Sequence, residues 1–445
     1  MADLIRKAAF ETLAASDEHP SVLVKRTLDE HQEWDHRDGA FYTALVETEV
    51  AHQTTIDAII AAYSKTRLKK LDTKVLAAVR LALAQIFFLE KVPDSAACNE
   101  SVNILKASGH GKYAGFANGL IRHIIREKNS PQARVVSDNT SVRLKYVNGH
   151  WQVTDQKQKA YQSLLDRSLR YSYPYWIVEF LYRNYSGEPV LEGLTAKRQI
   201  TAVSKVPPEK IDLECKGEQI TDGVYGLTFP VGTNPAESVS FRDGQFYIMD
   251  MSSMQPLINA GLEKGVKALD LCASPGGKSV MAAWLYDAEV TSCDVSEAKT
   301  ARIKENVHRL QLGDQITVAE NDACIYNDKW ESAFDAVIAD CPCSGLGVSG
   351  RKPEIRLRLK SEDFTELAGI QKQILENAAR YVKPGGTLIY STCTLDPLEN
   401  EDQVTGFLSR HSDFSLAKQQ TIIPDDRHDG FFYSILQKHE NGDRP

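Results

Sequence analysis

The sequence predicts an α/β protein in which an all-α domain and a small α+β connecting segment precede a domain built on a parallel sheet. Apolar residues follow helical spacing through the first 128 residues, and strand-like and helical segments alternate from residue 266 onward. Such alternation is typical of a parallel sheet covered by helices on both faces. We expect a helical domain at 1–128, a linker at 129–159, the connecting segment at 160–250 and the sheet domain at 251–445.

The helical domain is predicted from apolar residues that recur at helical spacing over Phe41–Tyr63, Val75–Leu89 and Phe116–Ile125. Proline and glycine interrupt this pattern, so we expect five to seven helices. In the linker, the polar stretch Ser137–Thr140 indicates a connection, and the pair Asn148-Gly149 predicts a hairpin turn. The connecting segment combines two helical stretches with short strand-like runs.

Composition excludes several classes of protein. The chain has 445 residues, of which 42% are hydrophobic and 25% charged, as in a globular protein of two or three domains. No apolar stretch approaches the about 20 residues of a membrane span, and the N-terminus lacks the pattern of a signal peptide. We therefore expect a cytoplasmic protein with no membrane partner. The eight cysteines lack the spacing of a disulfide framework, so we expect reduced thiols.

Charge is unevenly distributed along the chain. The net charge of −8 disfavours a uniformly basic nucleic-acid binder. Residues 51–128, however, hold twelve Lys or Arg and six Asp or Glu, which leaves a local balance of +6. The basic residues of one short stretch are Lys65, Arg67, Lys69, Lys70 and Lys74. They have the character of a phosphate-binding surface, and a solvated helix face is the simpler alternative.

The most informative segment of the sheet domain is a small-residue loop between a strand and a helix. It follows the apolar run Val266–Leu271 and consists of Cys272, Ala273, Ser274, Pro275, Gly276, Gly277 and Lys278. Small residues let the backbone approach a ligand, and the following helix offers unpaired N–H groups at its start. The loop therefore predicts an adenosine-containing cofactor.

Acidic residues follow the next two predicted strands. Asp294 comes after Glu289–Cys293, and Asp322 comes shortly after Gln315–Ala319. Either carboxylate is suited to accept hydrogen bonds from ribose hydroxyls, and either is also common as a helix cap or turn residue. Their recurrence at successive strand ends favours ligand contacts. Lys278 is compatible with three positions: beside the cofactor, beside a catalytic group, or merely at a helix start.

Other kinds of site fit the chain less well. A P-loop requires glycine where Cys272 stands, and no Gly-x-Gly-x-x-Gly pattern occurs at this loop, which disfavours NTP and NAD. Cys341, Cys343 and Cys393 lack Cys-x-x-Cys spacing and an evident histidine partner. We therefore expect no metal site.

Two further strand ends carry a carboxylate and two thiols. One predicted strand, Phe334–Ala339, runs into Asp340-Cys341-Pro342-Cys343, and another, Thr387–Ser391, runs into Thr392-Cys393. Neighbouring strands lie about 4.8 Å apart, so both sulfurs reach one substrate if these strands are adjacent. Either thiol is a candidate nucleophile, a buried structural cysteine is the alternative for each, and spacing alone does not choose between the two sulfurs.

Together these motifs resemble a known family. Asp270–Ser279, Asp340–Gly345 and Thr392-Cys393, followed by Glu399-Asn400-Glu401, are similar to the signatures of S-adenosylmethionine-dependent RNA cytosine-5 methyltransferases, over about residues 160–445. The first domain, with Phe116–Arg122, resembles the helical RNA-binding domain of the antitermination factor NusB. The combination resembles bacterial enzymes that methylate 16S ribosomal RNA. It implies a Rossmann-like class I methyltransferase domain, S-adenosylmethionine as cofactor, and unassembled or loosely structured 16S ribosomal RNA as partner of a monomer.

The resemblance also implies roles for the candidate residues. Cys393 would attack carbon 6 of cytosine and Cys343 would assist product release, with Asp340 at N3 and Lys278 in the same catalytic group. Residues 272–278 would surround the methionine part and ribose of the cofactor, Asp294 would contact ribose, Asp322 would lie near adenine, and Asp340 would also border the cofactor.

The chain departs from the family pattern at two places. Cys341 replaces a common alanine, and Ile200–Lys205 replaces an Arg-Val-Asn segment. A non-catalytic RNA-binding or antitermination factor is a second hypothesis, and methylation of a tRNA or a protein is a third.

Overall fold

The computed structural model describes residues 3–15, 18–128, 134–136, 142–147, 150–153 and 159–440. The predicted linker stretch Ser137–Thr140 and the turn residues Asn148-Gly149 lie outside the described residues. The chain divides into two compact units. The first comprises Met1–Gly187 and Lys352–Arg358, and the second comprises Glu188–Arg351 and Leu359–Pro445.

The described residues form sixteen α-helices and fourteen β-strands. The helices are α1 (Leu4–Ala14), α2 (Pro20–Glu30), α3 (His36–Tyr63), α4 (Thr73–Phe88), α5 (Asp94–Ala107), α6 (Ala114–Lys128), α7 (Lys159–Tyr171), α8 (Tyr175–Asn184), α9 (Gly187–Thr195), α10 (Val239–Arg242), α11 (Met251–Ile258), α12 (Gly277–Tyr286), α13 (Glu297–Arg309), α14 (Glu354–Arg358), α15 (Ser361–Tyr381) and α16 (Glu401–Arg410). The strands are β1 (Arg134–Val136), β2 (Val142–Val147), β3 (His150–Val153), β4 (Ile200–Ser204), β5 (Lys216–Thr221), β6 (Val224–Phe229), β7 (Phe246–Ile248), β8 (Lys267–Asp270), β9 (Glu289–Asp294), β10 (Ile316–Glu320), β11 (Phe334–Asp340), β12 (Val382–Thr392), β13 (Phe414–Ile422) and β14 (Phe431–Lys438).

The first unit is a helical core with a small sheet. Six α-helices lie within the described part of residues 1–128, which confirms the predicted five to seven. Helix α4 is buried along most of its length, and the Asp72 carboxylate caps it by accepting from the Lys74 and Val75 N–H groups at 3.0 and 3.2 Å. Strands β2 and β3 pair in antiparallel fashion, as expected for the predicted hairpin.

Helix α14 also belongs to the first unit, although the residues on either side of Lys352–Arg358 belong to the second. The Arg356 side chain is 3% exposed, and its guanidinium carbon lies 4.1 Å from the centre of the Tyr173 ring. Arg356 also donates a hydrogen bond to the Ala51 carbonyl in α3. A short, distant piece of sequence thus completes this core.

The second unit contains a four-stranded antiparallel sheet, in the order β5-β6-β4-β7, and a seven-stranded sheet, in the order β10-β9-β8-β11-β12-β14-β13. Strands β10, β9, β8, β11 and β12 run parallel to one another, and they correspond to the five strands predicted in the sheet domain. The α/β fold class is confirmed. Strands β13 and β14 were not predicted, and they add an antiparallel hairpin beside β12.

The strand order reverses between β8 and β11, which are neighbours in the sheet although β9 and β10 follow β8 in the chain. Ligands of open α/β sheets bind in the crevice outside the carboxyl ends of the strands at such a point. The register aligns Asp270 with Ile338 and Asp340 with Ser391. The small-residue loop and both cysteine motifs therefore leave the sheet at one edge.

Candidate active site

The small-residue loop turns directly from β8 into α12. Gly276 precedes the helix with φ of +111°, a conformation that favours glycine because it has no Cβ. At Gly277 a Cβ would lie 3.0 Å from the Tyr247 ring. At the end of β8, Asp270 is fully buried and accepts from the Ser279 hydroxyl at 2.7 Å, and burial raises the pKa of this carboxyl to about 7.

Asp294 holds the loop from the neighbouring strand. Its Oδ2 accepts from the Ser274 N–H at 3.0 Å, and its Oδ1 accepts from the Val295 N–H at 2.8 Å. The Lys299 ammonium lies 3.0 Å from Oδ1. Asp294 therefore joins the loop to the end of β9.

A cleft of about 330 Å³ lies at this edge of the sheet. Seven predicted site residues line it: Cys272, Ser274, Asp294, Asp322, Asp340, Cys343 and Cys393. The other five predicted residues, Ala273, Pro275, Gly276, Gly277 and Lys278, are not among the lining residues. The cleft therefore brings both cysteine motifs together with part of the loop and with the acids at the ends of β9 and β10.

Sequence reasoning missed several residues of the cleft wall: Val295, Lys299, Asn321, Ala323, Cys324, Ile370 and Ile374. A usable signal existed for two of them, because Ile370 and Ile374 are four residues apart and share one face of α15. Asn321 stands directly before the predicted Asp322.

The cleft fits an adenosine-containing cofactor. The buried Asn321 Nδ2 has no hydrogen-bond partner among the described residues, which leaves a donor available to a ligand. The Oδ1 atom of Asp322 accepts from the Cys324 N–H at 2.9 Å, and this residue lines the cleft. The side chains of Val295 and Ile370, 50% and 40% exposed, supply apolar surface for a base. Carboxylates for hydroxyls and aliphatic carbon for a flat ring suit a nucleoside.

The two thiols of the cysteine motifs are in direct contact. The Sγ atoms of Cys343 and Cys393 lie 3.3 Å apart. Hydrogen bonding with Cys393, followed by burial, raises the pKa of Cys343 well above its usual value. Two thiolates at this distance would repel each other, and this environment keeps the proton on Cys343.

Asp340 is fixed from two sides at the same edge. Its Oδ2 lies 2.6 Å from Lys278 Nζ, and its Oδ1 accepts from the Ser391 hydroxyl at 2.7 Å. The Lys278 side chain is only 4% exposed and also donates to the Ser253 hydroxyl at 3.1 Å, whereas 34% of the Asp340 side chain is exposed. Of the three positions open to Lys278, the structure shows the one beside Asp340.

The described ranges contain neither a cluster of metal ligands nor a membrane-spanning helix. No three His, Cys, Asp or Glu side chains there are grouped as ligands of a metal ion. No helix in those ranges is both long and apolar enough to cross a bilayer.

Comparison with known proteins identifies the family. The profile described as "16S rRNA methyltransferase RsmB/F" matches residues 261–443, and the NusB family profile matches residues 4–126. The chain is 31% identical over 439 residues to the probable ribosomal RNA small subunit methyltransferase B of Bacillus subtilis, covering 92% of this chain and 89% of that protein. The ribosomal RNA small subunit methyltransferase B of Proteus mirabilis is 31% identical over 368 residues, 81% of each chain.

Solved structures share the fold. The crystal structure of PH0851 has a TM-score of 0.74 at 21% identity, covering 98% of this chain and all of that one. The crystal structure of NSun6 from Pyrococcus horikoshii with SFG has a TM-score of 0.50 at 17% identity, covering 60% of this chain and 99% of that one. The chain belongs to the RsmB/F family of S-adenosylmethionine-dependent ribosomal RNA methyltransferases and carries an N-terminal domain of the NusB family.

Proposed function

We propose that this protein methylates carbon 5 of a cytidine in 16S ribosomal RNA, and that Cys393 bonds transiently to carbon 6 of the same ring. The observation that carries the proposal is the contact of two thiols, 3.3 Å apart, in a cleft that Asp340, Cys272 and Ser274 also line. Carbon 5 of cytosine is a weak nucleophile. Addition of a thiolate to carbon 6 makes carbon 5 enamine-like and reactive, which explains the need for a cysteine.

Cys393 is the proposed nucleophile and Cys343 its partner. The raised pKa of Cys343 keeps a proton on that sulfur, so Cys343 can donate a hydrogen bond to a Cys393 thiolate. The same hydrogen bond stabilises the Cys393 sulfur when it leaves. At that step carbon 5 loses its proton to water, the C5=C6 double bond re-forms, and the electrons of the C6–S bond return to Cys393.

Asp340 and Lys278 act on the opposite edge of the base. Addition at carbon 6 places negative charge on N3, and a carboxyl group that delivers a proton there stabilises it. The Lys278 ammonium, 2.6 Å from Asp340 Oδ2, is the proposed source of that proton, and Asp340 transfers it. When the product is released, the N3 proton returns through Asp340 to Lys278, which restores the starting ion pair.

The cofactor site is proposed at the other side of the cleft. S-adenosylmethionine, when bound, supplies a methyl group activated by a sulfonium sulfur. We assign residues 272–278 and Asp340 to its methionine part and ribose, with Asp294 at the ribose and Asp322 near the adenine. Asn321 is added to this set because its buried amide nitrogen lacks a partner among the described residues.

We assign RNA binding to residues 1–128. The RNA that they bind is proposed to be unassembled or loosely structured 16S RNA. The basic side chains Lys65, Arg67, Lys69, Lys70 and Lys74 are all exposed there. The target base must leave its stack to reach Cys393, which costs a few kcal/mol and favours loosely paired RNA. We propose that a cytoplasmic monomer acts alone.

The reaction is tested by tritium transfer from labelled S-adenosylmethionine to isolated 16S RNA, small subunits, tRNA and protein, followed by nucleoside analysis. We expect 5-methylcytidine in isolated 16S RNA. Label confined to tRNA or protein would overturn the substrate assignment, and no label in any RNA would overturn the proposal.

The covalent step is tested on denaturing gels with radiolabelled RNA. Cys393→Ala should abolish turnover and the protein–RNA adduct, whereas Cys343→Ala should accumulate the adduct. Cys215→Ala, outside the cleft lining, should behave as the unaltered protein. The reverse pattern for Cys343 and Cys393 would exchange their roles.

A further inference from the structure

Two adjacent buried polar residues lie behind the catalytic thiols. Glu399 and Asn400 precede α16, and neither side chain is exposed to solvent. Neither lines the cleft, so neither can touch the substrate base or the cofactor there. Each makes hydrogen bonds to a different cysteine motif.

Glu399 holds the motif that contains Cys343. Its Oε2 accepts from the Ser344 N–H at 2.9 Å and from Gln371 Nε2 at 2.7 Å. Gln371 Nε2 also donates to the Pro342 carbonyl at 3.0 Å. The residues on both sides of Cys343 are therefore fixed to Glu399, one directly and one through Gln371.

Asn400 holds the motif that contains Cys393. Its Oδ1 accepts from the Thr392 hydroxyl at 2.6 Å, and its Nδ2 donates to the Thr394 carbonyl at 3.1 Å. The residues on both sides of Cys393 are therefore fixed to Asn400. The hydroxyls of Ser344 and Thr394, 2.6 Å apart, connect the two motifs directly.

We propose that Glu399 and Asn400 are positioning residues that separately set the places of the two thiols, Glu399 that of Cys343 and Asn400 that of Cys393. This inference rests on the proposed function, because it assigns each residue to one step of the covalent mechanism. Asn400 serves the attack of Cys393 on carbon 6, and Glu399 serves the release that Cys343 assists.

The burial of Glu399 favours such a role over simple packing. A carboxyl group without solvent exposure is costly, and the buried Glu399 Oε1 has no hydrogen-bond partner among the described residues. An apolar residue would fill the same space without that cost. The Tyr390 hydroxyl donates to the Glu399 carbonyl at 2.5 Å, so the backbone of Glu399 is itself fixed. A misplacement of about 1 Å in a reacting group can slow a reaction about 100-fold.

The test measures formation and release of the protein–RNA adduct as separate rates, by rapid quench and denaturing gels in the full-length protein. Asn400→Ala should slow adduct formation by about 100-fold, the effect of a misplaced nucleophile. Glu399→Ala should form the adduct at the rate of the unaltered protein but release it slowly, so that the adduct accumulates as in Cys343→Ala. Glu399→Gln keeps an accepting oxygen and should restore release.

Further variants keep the test independent of folding defects. Thr392→Val removes a hydrogen bond between Asn400 and the Cys393 motif, and it should slow adduct formation. Gln371→Leu removes the hydrogen bonds that link Glu399 to the Cys343 motif through Gln371, and it should slow adduct release. Asp402→Asn, an exposed change in the first turn of α16, is the matched control and should alter neither rate.

Two outcomes would overturn the inference. One is an equal loss of both rates in the Glu399 and Asn400 variants, which would indicate a general structural role. The other is rapid release in Glu399→Ala under conditions in which Cys343→Ala accumulates the adduct. If Cys343→Ala itself forms no adduct, the proposed function fails instead, so the two failures are distinguishable.

Discussion

Substitution of Gly347 by alanine should disturb the region that connects the two cysteine motifs. Gly347 donates its N–H to the Cys393 carbonyl at 3.1 Å and accepts from the Gly430 N–H at 3.0 Å. A Cβ at this position would lie 1.9 Å from the Gly430 oxygen and 2.9 Å from the Cys393 oxygen. Both contacts are with backbone, so the backbone itself must move.

The magnitude follows from these contacts. Overpacking a tight site costs about 1–3 kcal/mol. The two backbone hydrogen bonds contribute about 1 kcal/mol each. If both are lost, Gly347→Ala should lower the free energy of unfolding by about 3–5 kcal/mol. It should also slow adduct formation, because the Cys393 carbonyl is displaced.

The assay is equilibrium unfolding in urea, with Gly369→Ala as the matched control. Gly369 is an exposed residue of α15 at which a Cβ would meet nothing within 4 Å. Alanine in that helix should raise the free energy of unfolding by about 0.5–1 kcal/mol. The reasoning is refuted if Gly347→Ala is as stable as the unaltered protein.

Three further predictions concern the cleft. Lys278→Met removes the proposed proton source beside Asp340, and kcat measured by tritium transfer at saturating S-adenosylmethionine should fall about 100-fold or more; an unchanged kcat would remove Lys278 from the catalytic group. Asp294→Ala should raise the Kd for the cofactor about 10- to 100-fold, because hydrogen bonds to a charged group contribute about 1.5–3 kcal/mol; an unchanged Kd would remove Asp294 from the site. Between about pH 4 and pH 7 the folded protein retains the Asp270 proton that the unfolded chain releases, so the free energy of unfolding should fall as the pH rises. Urea titrations at several pH values should show that Asp270→Asn flattens this dependence.

Sequence patterning predicted the parallel strands because each reads as a short run rich in apolar residues, and strands β8, β9, β11 and β12 are largely buried. The predicted strand Glu289–Cys293 differs from the observed β9 by one residue, and Phe334–Ala339 differs from β11 by one residue. The hairpin of β13 and β14 was missed. No helix separates these strands, so the alternation that indicated the other five does not reach them, and β13 is largely exposed and lacks an apolar face.

The sequence alone predicted which candidate site residues stand at the ends of strands. Both thiols and Asp340 stand at the ends of apolar runs, and parallel strands bring such ends to one edge. The contacts among them were not predictable in the same way. Lys278 and Asp340 are 62 positions apart, and Glu399 lies 55 positions from Ser344. These pairs meet only because β8, β11 and β12 are neighbours, and local spacing does not encode that order.

The insertion of Lys352–Arg358 into the first unit has a consequence for biosynthesis. The ribosome synthesises residues 1–187 long before it adds α14. The first unit therefore cannot complete its fold until α14, which contacts Ala51 and Tyr173, has been synthesised. Truncation after Gly187 would leave that surface open to water. A gene fragment that ends at Gly187 therefore lacks part of the core of the first unit, and a fragment that begins at Glu188 carries α14 without the rest of the unit to which this helix belongs.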